Sequence, residues 1–135
     1  MAKLVIDAEN AAMGRIASYA AKQALQGNEI AVLNCEKAVI SGRKEDVIED
    51  YKLRRQLNTM KPGKGPFFTR YPERIMKRTI RGMLPDHRKG RGKEAWRRIR
   101  CYLGVPEEFK KDKHIKLNLK FPQKNISLTE LKIRM

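Results

Sequence analysis

Two kinds of hydrophobic periodicity divide the chain. Lys3-Leu4-Val5-Ile6 is a short apolar run that predicts a buried strand, and Asp7 closes it. From Ala11 to Gln26 the period lengthens to that of a helix: Ile16, Ala20 and Ala24 share one face, with Met13, Ala17 and Ala21 beside it. So many alanines allow a helix to lie close on a sheet. Asn10 is the expected N-cap, because its side chain can accept a bond from a first-turn N–H. Gly27 is the expected stop, since glycine enters the left-handed conformation at low cost. Glu29 to Cys35 is rich in β-branched and aliphatic residues and predicts a second buried strand. Strand, helix and strand at this spacing form a βαβ unit, with parallel strands and a right-handed crossover.

Further on, Val39-Ile40 predicts another short strand and Arg43 to Leu57 a helix with Val47, Ile48 and Tyr51 turned inward. Pro62, Gly63, Gly65 and Pro66 interrupt regular structure between Asn58 and Thr69. Pro72 opens the next helix, with Met76, Ile80, Met83 and Leu84 as its buried face and Pro85 as its end. Glu94 to Arg98 reads as a short helix carrying Trp96, and Arg98 to Leu103 as a strand returning to the sheet. Ile115, Leu117, Leu119 and Phe121 alternate with Lys116, Asn118 and Lys120, the pattern of an edge strand or an extended arm. Ser127 and Glu130 have capping-box spacing, Ile126 and Leu131 fit a hydrophobic staple, and a helix over Leu128 to Arg134 follows. The fold class is therefore α/β: a small, mainly parallel sheet between helices in three layers, with basic loops and a C-terminal extension. We expect a single domain over residues 1–135, with a βαβ-type scaffold over 1–57. Basic loops, helices and a returning strand follow over 58–106, and the extension over 107–135.

Charge changes this picture from a generic α/β domain to a polyanion binder. The 135 residues carry a net charge of +16. Through Asp50 there are six Lys/Arg against eight Asp/Glu; the remainder holds 25 against seven. A surplus of this size opposes compaction unless a polyanion neutralises it, and nucleic acid is the commonest such partner. No apolar run is long enough to span a bilayer and no signal-peptide pattern opens the chain, so no membrane partner is expected and the location is cytoplasmic. Cys35 and Cys101 stand far apart in apolar surroundings, as suits buried thiols in a reducing compartment. No CxxC or Cys/His spacing supports a metal site.

The candidate chemistry lies between Met60 and Pro106. Lys61 and Lys64 charge the Gly/Pro-broken loop, and Arg70 follows it. Phe67 and Phe68 either stack on exposed bases or anchor the loop to the core; the pattern leaves both open. Arg74, Lys77, Arg78 and Arg81 recur at helical spacing as a stripe of one sign, which self-repulsion disfavours on a merely solvated face. Arg88, Lys89, Arg91 and Lys93, spaced by Gly90 and Gly92, read as a flexible basic loop whose backbone can approach phosphates closely. Enzyme signatures are missing. The first βα turn lacks GxGxxG, Lys64 lacks the context of a phosphate-binding P-loop, and His87 is a lone histidine. Asp7 is the one well-placed carboxylate, which does not make a site. Glu45, Asp46, Glu49 and Asp50 read as a solvated helix start that complements the dipole. No cofactor and no small-molecule substrate are expected. A structural RNA binder is the first reading; an RNA-acting enzyme and a free RNA- or DNA-binding regulator are the alternatives.

Four segments resemble the large-subunit ribosomal protein L-thirteen family in its archaeal and eukaryotic form. They are Gly14-Arg15-Ile16-Ala17 with Ala21-Lys22-Gln23; Asn34-Cys35-Glu36 with Ile40-Ser41-Gly42; Gly65-Pro66 with Arg70; and Arg74-Ile75 through Arg78-Thr79-Ile80-Arg81-Gly82-Met83-Leu84-Pro85. Gly104-Val105-Pro106 closes the match. The resemblance implies a small parallel sheet between helices and a place in the large ribosomal subunit. It also implies contacts with large-subunit rRNA and neighbouring ribosomal proteins, and an early role in assembly.

Overall fold

The computed structural model describes residues 2–57, 60, 63, 65–117, 120 and 122–134. In it β1 (Lys3–Asp7) and β2 (Glu29–Leu33) pair in parallel, Leu4 opposite Ile30 and Ile6 opposite Val32. Helix α1 (Met13–Leu25) links them and buries Met13, Ile16, Ala17, Ala20, Ala21 and Ala24, the six residues that its periodicity selects. It ends as expected. Gly27 takes φ +99°, its N–H reaches the Ala24 carbonyl at 3.1 Å, and the Asn28 N–H reaches that of Gln23 at 3.2 Å. These two bonds are those of a Schellman cap.

The start of α1 differs from expectation. Ala12, not Asn10, precedes the first helical residue, and no side chain caps it. Residues 11 and 12 are held extended by a bridge to Val39, whose N–H bonds the Ala11 carbonyl at 3.0 Å. Asn10 instead supplies a left-handed turn at φ 55°, a conformation asparagine tolerates better than most residues.

Two more strands join in parallel. β4 (Ile99–Cys101) pairs with β2, and β5 (His114–Ile115) pairs with β1, giving the order β4-β2-β1-β5. The alternation from Ile115 thus begins as an edge strand; Leu119 and Phe121 lie outside the described residues. β3 (Val39–Ser41) forms a separate antiparallel ribbon with β6 (Asn125–Ser127). One face of the main sheet, with Ile6, Ile30, Val32 and Ile99, carries the main core. That core is completed by α1, α3 (Pro72–Gly82) and α4 (Gly90–Arg97). Helix α2 (Lys44–Gln56) adds Tyr51, and α5 (Leu128–Arg134), with β6, adds Ile126, Leu128 and Leu131, all fully buried. Val5, Ala31 and Leu33 face the other way, covered by Phe109 from a 3-10 turn over Glu107–Phe109, with Tyr102 and Val105 beside it.

The C-terminal capping signal is real: the Glu130 N–H donates to Ser127 Oγ at 3.2 Å, and α5 occupies the expected residues. The corner after β2 ties the layers together. Asn34, at φ 55°, donates its amide to Asp7 Oδ1 at 3.0 Å. The Glu36 carboxylate accepts the Gly104 N–H, and its carbonyl accepts the Thr129 hydroxyl at 2.7 Å.

Candidate nucleic-acid interface

Helix α3 presents two faces, as its sequence demands. Ile75, Met76 and Ile80, with Pro72, are the buried residues. Ile75 takes the place of Met83 in the expected set, and Leu84 packs against the core only in part. The helix stops at Gly82, so Met83 becomes its C-cap and stays 45% exposed, while Leu84 is half-buried. Thr79 bonds its own turn at the Ile75 carbonyl (2.9 Å) and touches Met13 Sδ at 3.7 Å, fixing α3 against α1.

The basic face is organised by aromatic rings. The Arg78 guanidinium lies 4.5 Å from the centre of Phe68 and donates to the Phe67 carbonyl at 2.9 Å. Arg54 approaches Phe68 at 5.8 Å and Tyr51 at 5.2 Å, and those two rings meet edge to face at 5.5 Å. Arg74 and Lys132 share the Tyr71 ring at 5.5 and 5.3 Å. Lys77 sits 4.7 Å over Trp96, which touches His87 edge to face at 6.3 Å. Among the described residues none of Arg74, Lys77, Arg78 and Arg81 has a carboxylate within 4.0 Å. Burial, and then the neighbouring charges of Arg81 and Arg54, push the Arg78 guanidinium below its ordinary pKa. Positive charges are thus packed together at some cost.

The structure separates the two phenylalanines: the anchoring reading holds for one ring and not for the other. Phe68 is a half-buried anchor, whereas Phe67 is 79% exposed. Arg70 is exposed on the same segment. Lys61 and Lys64 lie outside the described residues.

The stretch from Arg88 to Lys93 requires a correction. It is not a flexible loop: α4 begins at Gly90, so Arg91 and Lys93 are helical, and only Arg88 and Lys89 precede it. Asp86 accepts the Arg88 N–H at 3.0 Å and shapes the entry. Gly92 is buried, and a Cβ there would collide with the carbonyl oxygens of Asp86 and Pro85, the latter at 2.5 Å. This glycine marks a close approach of backbone to backbone, not freedom. Arg88, Lys89, Arg91 and Lys93 are all exposed, and the Lys77–Trp96–His87 contacts join this patch to the α3 stripe. Arg54 and Lys132 also border the surface. Their positions in sequence carry no sign of that, because only the packing of α2 and α5 brings them to the rings.

Asp7 is occupied structurally. Burial raises its pKa, but bonds from Asn34 and the Glu9 N–H, together with Lys116 at 3.6 Å, outweigh this and leave it below the ordinary value. Among the described residues no group of three or more His, Cys, Asp or Glu is placed to hold a metal ion, and no helix is long and apolar enough to cross a membrane.

The model of the family Ribosomal protein L13 matches residues 2–108. Curated relatives include the large ribosomal subunit protein uL13 of Methanococcoides burtonii, 48% identical over 105 residues that make up 78% of this chain and 73% of that protein. That of Archaeoglobus fulgidus is 51% identical over 104 residues, 77% of this chain and 65% of that protein. That of Methanocaldococcus jannaschii is 44% identical over 131 residues, 94% and 93% of the two chains. The family is one of ribosomal structural proteins, not of enzymes. With α3, its aromatic-seated cations and the returning strand β4 all inside the matched residues, the chain belongs to the ribosomal protein L13 family.

Proposed function

We propose that this protein is a structural component of the large ribosomal subunit, where it binds large-subunit rRNA, helps it fold early in assembly, and sits beside neighbouring ribosomal proteins in the cytoplasm. The observation that carries the reading is the way α3 holds its cations. A carboxylate partner would neutralise each charge. A ring face holds a cation in place by roughly 0.5–1 kcal/mol at an exposed site and leaves its charge available. Arg74, Lys77 and Arg78 are all seated in this second way.

The mechanism is electrostatic and geometric. Lys61, Lys64, Arg70, Arg74, Lys77, Arg78, Arg81, Arg88, Lys89, Arg91 and Lys93 displace counterions from folded RNA, while α3 and α4 fix the spacing of Arg74, Lys77, Arg78, Arg81, Arg91 and Lys93. Neutralising about six to ten phosphates costs on the order of three to five decades of affinity between 50 and 200 mM salt. Such contacts set position; shape and unpaired bases supply discrimination.

The test is sedimentation of a native lysate through a sucrose gradient, with the protein quantified per fraction, for wild type and for the double variant Arg74→Glu, Arg81→Glu. Wild type is expected near one copy per large subunit after a moderate salt wash. The variant is expected in the light fractions with an unchanged circular dichroism spectrum. Wild type found mainly in the light fractions would sink the reading.

A further inference from the structure

Wholly parallel sheets are almost always covered on both faces. Here the face opposite the helices is covered by Phe109, Tyr102 and Val105 over Val5, Ala31 and Leu33. At the end where the strands begin, that cover stops, and a cleft of about 200 Å³ opens over Ala31. The cleft is smaller than the roughly 300–1,000 Å³ of pockets for drug-sized ligands, so its occupant is small. Its walls are charged and mixed in a definite way. The register sets Arg100 beside Ala31 on this face, and Arg97 stands at the end of α4. Both arginines are exposed, and neither has a carboxylate within 4.0 Å among the described residues. Arg98, between them, is committed elsewhere, donating to the Ala24 carbonyl at 3.0 Å. Glu29 and Glu108 line the same cleft, and so does the half-buried ring of Tyr102.

Two uncommitted guanidinium groups, two carboxylate acceptors and the rings of Tyr102 and Phe109 around so small a volume match one nucleotide. A base stacks on a guanidinium plane or a tyrosine ring, its exocyclic amine donates to a carboxylate, and its phosphate pairs with an arginine. We propose that this cleft receives a single unstacked nucleotide of the bound RNA. The base packs against Arg100 and Tyr102, its edge faces Glu29 or Glu108, and its phosphate lies on Arg97. The proposal rests on the RNA-binding reading above but concerns the opposite face of the sheet from α3.

Short-wave ultraviolet irradiation of large subunits assembled in cells with the full chain, followed by mass spectrometry of nucleotide–peptide adducts, tests both separately. The expected result is an adduct on the β4 peptide that carries Arg100 and Tyr102. It should disappear in the double variant Arg97→Glu, Arg100→Glu, while adducts on α3 persist. Adducts confined to α3 and the start of α4 would overturn the cleft and leave the RNA reading standing. A peptide of a neighbouring protein crosslinked in the cleft would also overturn it. No RNA adduct anywhere would remove the RNA reading and this proposal with it. As a second measurement, Tyr102→Leu should weaken the Kd for large-subunit rRNA by roughly five-fold or more, the low end for loss of one stacked base. An unchanged Kd would also overturn the proposal.

Discussion

Replacing Gly92 by alanine separates two views of the basic stretch around α4. If Gly92 served flexibility, alanine would stabilise the fold by about 0.4–1 kcal/mol, because it restricts the unfolded chain. The packing points the other way. The new Cβ would lie 2.5 Å from the Pro85 carbonyl oxygen and 2.9 Å from the Asp86 carbonyl carbon, where ordinary contact begins at 3.4 Å. The obstacles are backbone atoms, so no rotamer change relieves them, and α4 must move away from the 85–86 turn by about an ångström. That shift is resisted by Ala95, which is fully buried, and by Trp96 beneath Lys77. Overpacking of this kind costs about 1–3 kcal/mol, offset by at most about 1 kcal/mol of helix propensity. The expected net loss is about 1–2 kcal/mol, a fall in Tm of about 4–8 °C for a domain of this size. Thermal unfolding followed at 222 nm measures it. Gly82→Ala is the control, since a Cβ there meets nothing within 4 Å; it should be neutral or mildly stabilising. A Tm for Gly92→Ala equal to or above wild type would refute the close-packing argument.

Three further outcomes follow from single contacts. Asp7 titrates below its ordinary value in the folded state, so its contribution is complete above the unfolded pKa near 3.9 and is lost as pH falls through the folded one. Urea unfolding from about pH 4 downward should show this loss; Asp7→Asn should flatten that acid limb, and an identical limb would refute the assignment. Cys35 has its thiol pushed up, first by the neighbouring Cys101 thiol and then by burial, so it should resist iodoacetamide in the native protein and label on unfolding. Rapid native labelling at Cys35, located by peptide mass mapping, would contradict it. Leu131 is fully buried, so Leu131→Ala should cost about 2–5 kcal/mol in chemical denaturation; a loss below 0.5 kcal/mol would mean that α5 is not part of the cooperative core.

The local elements were legible because each rests on neighbouring residues. The alanine face of α1, its Gly27 cap, the parallel β1–β2 pair, and the Ser127–Glu130 cap of α5 all follow from periodicity and cap chemistry acting within a few positions. The cationic stripe was legible for the same reason: four charges at helical spacing share a face whatever the helix packs against. What failed depended on contacts between segments distant in sequence. Asn10 lost its capping role because Val39, far along the chain, holds residues 11 and 12 extended. Gly92 reads as loosening until the 85–86 turn is laid against it.

The amino-acid sequence by itself determined the α/β class, the basic character of the segment from Met60 to Pro106, and the family, since these are properties of pattern, charge and residue identity. Tertiary structure alone decided which ring seats which cation. It also brought Arg54 and Lys132 to the stripe's border, and set Arg100 beside Ala31 over an open cleft. The physical reason is that periodicity assigns a residue to a face, whereas its neighbour on that face is chosen by packing between distant elements.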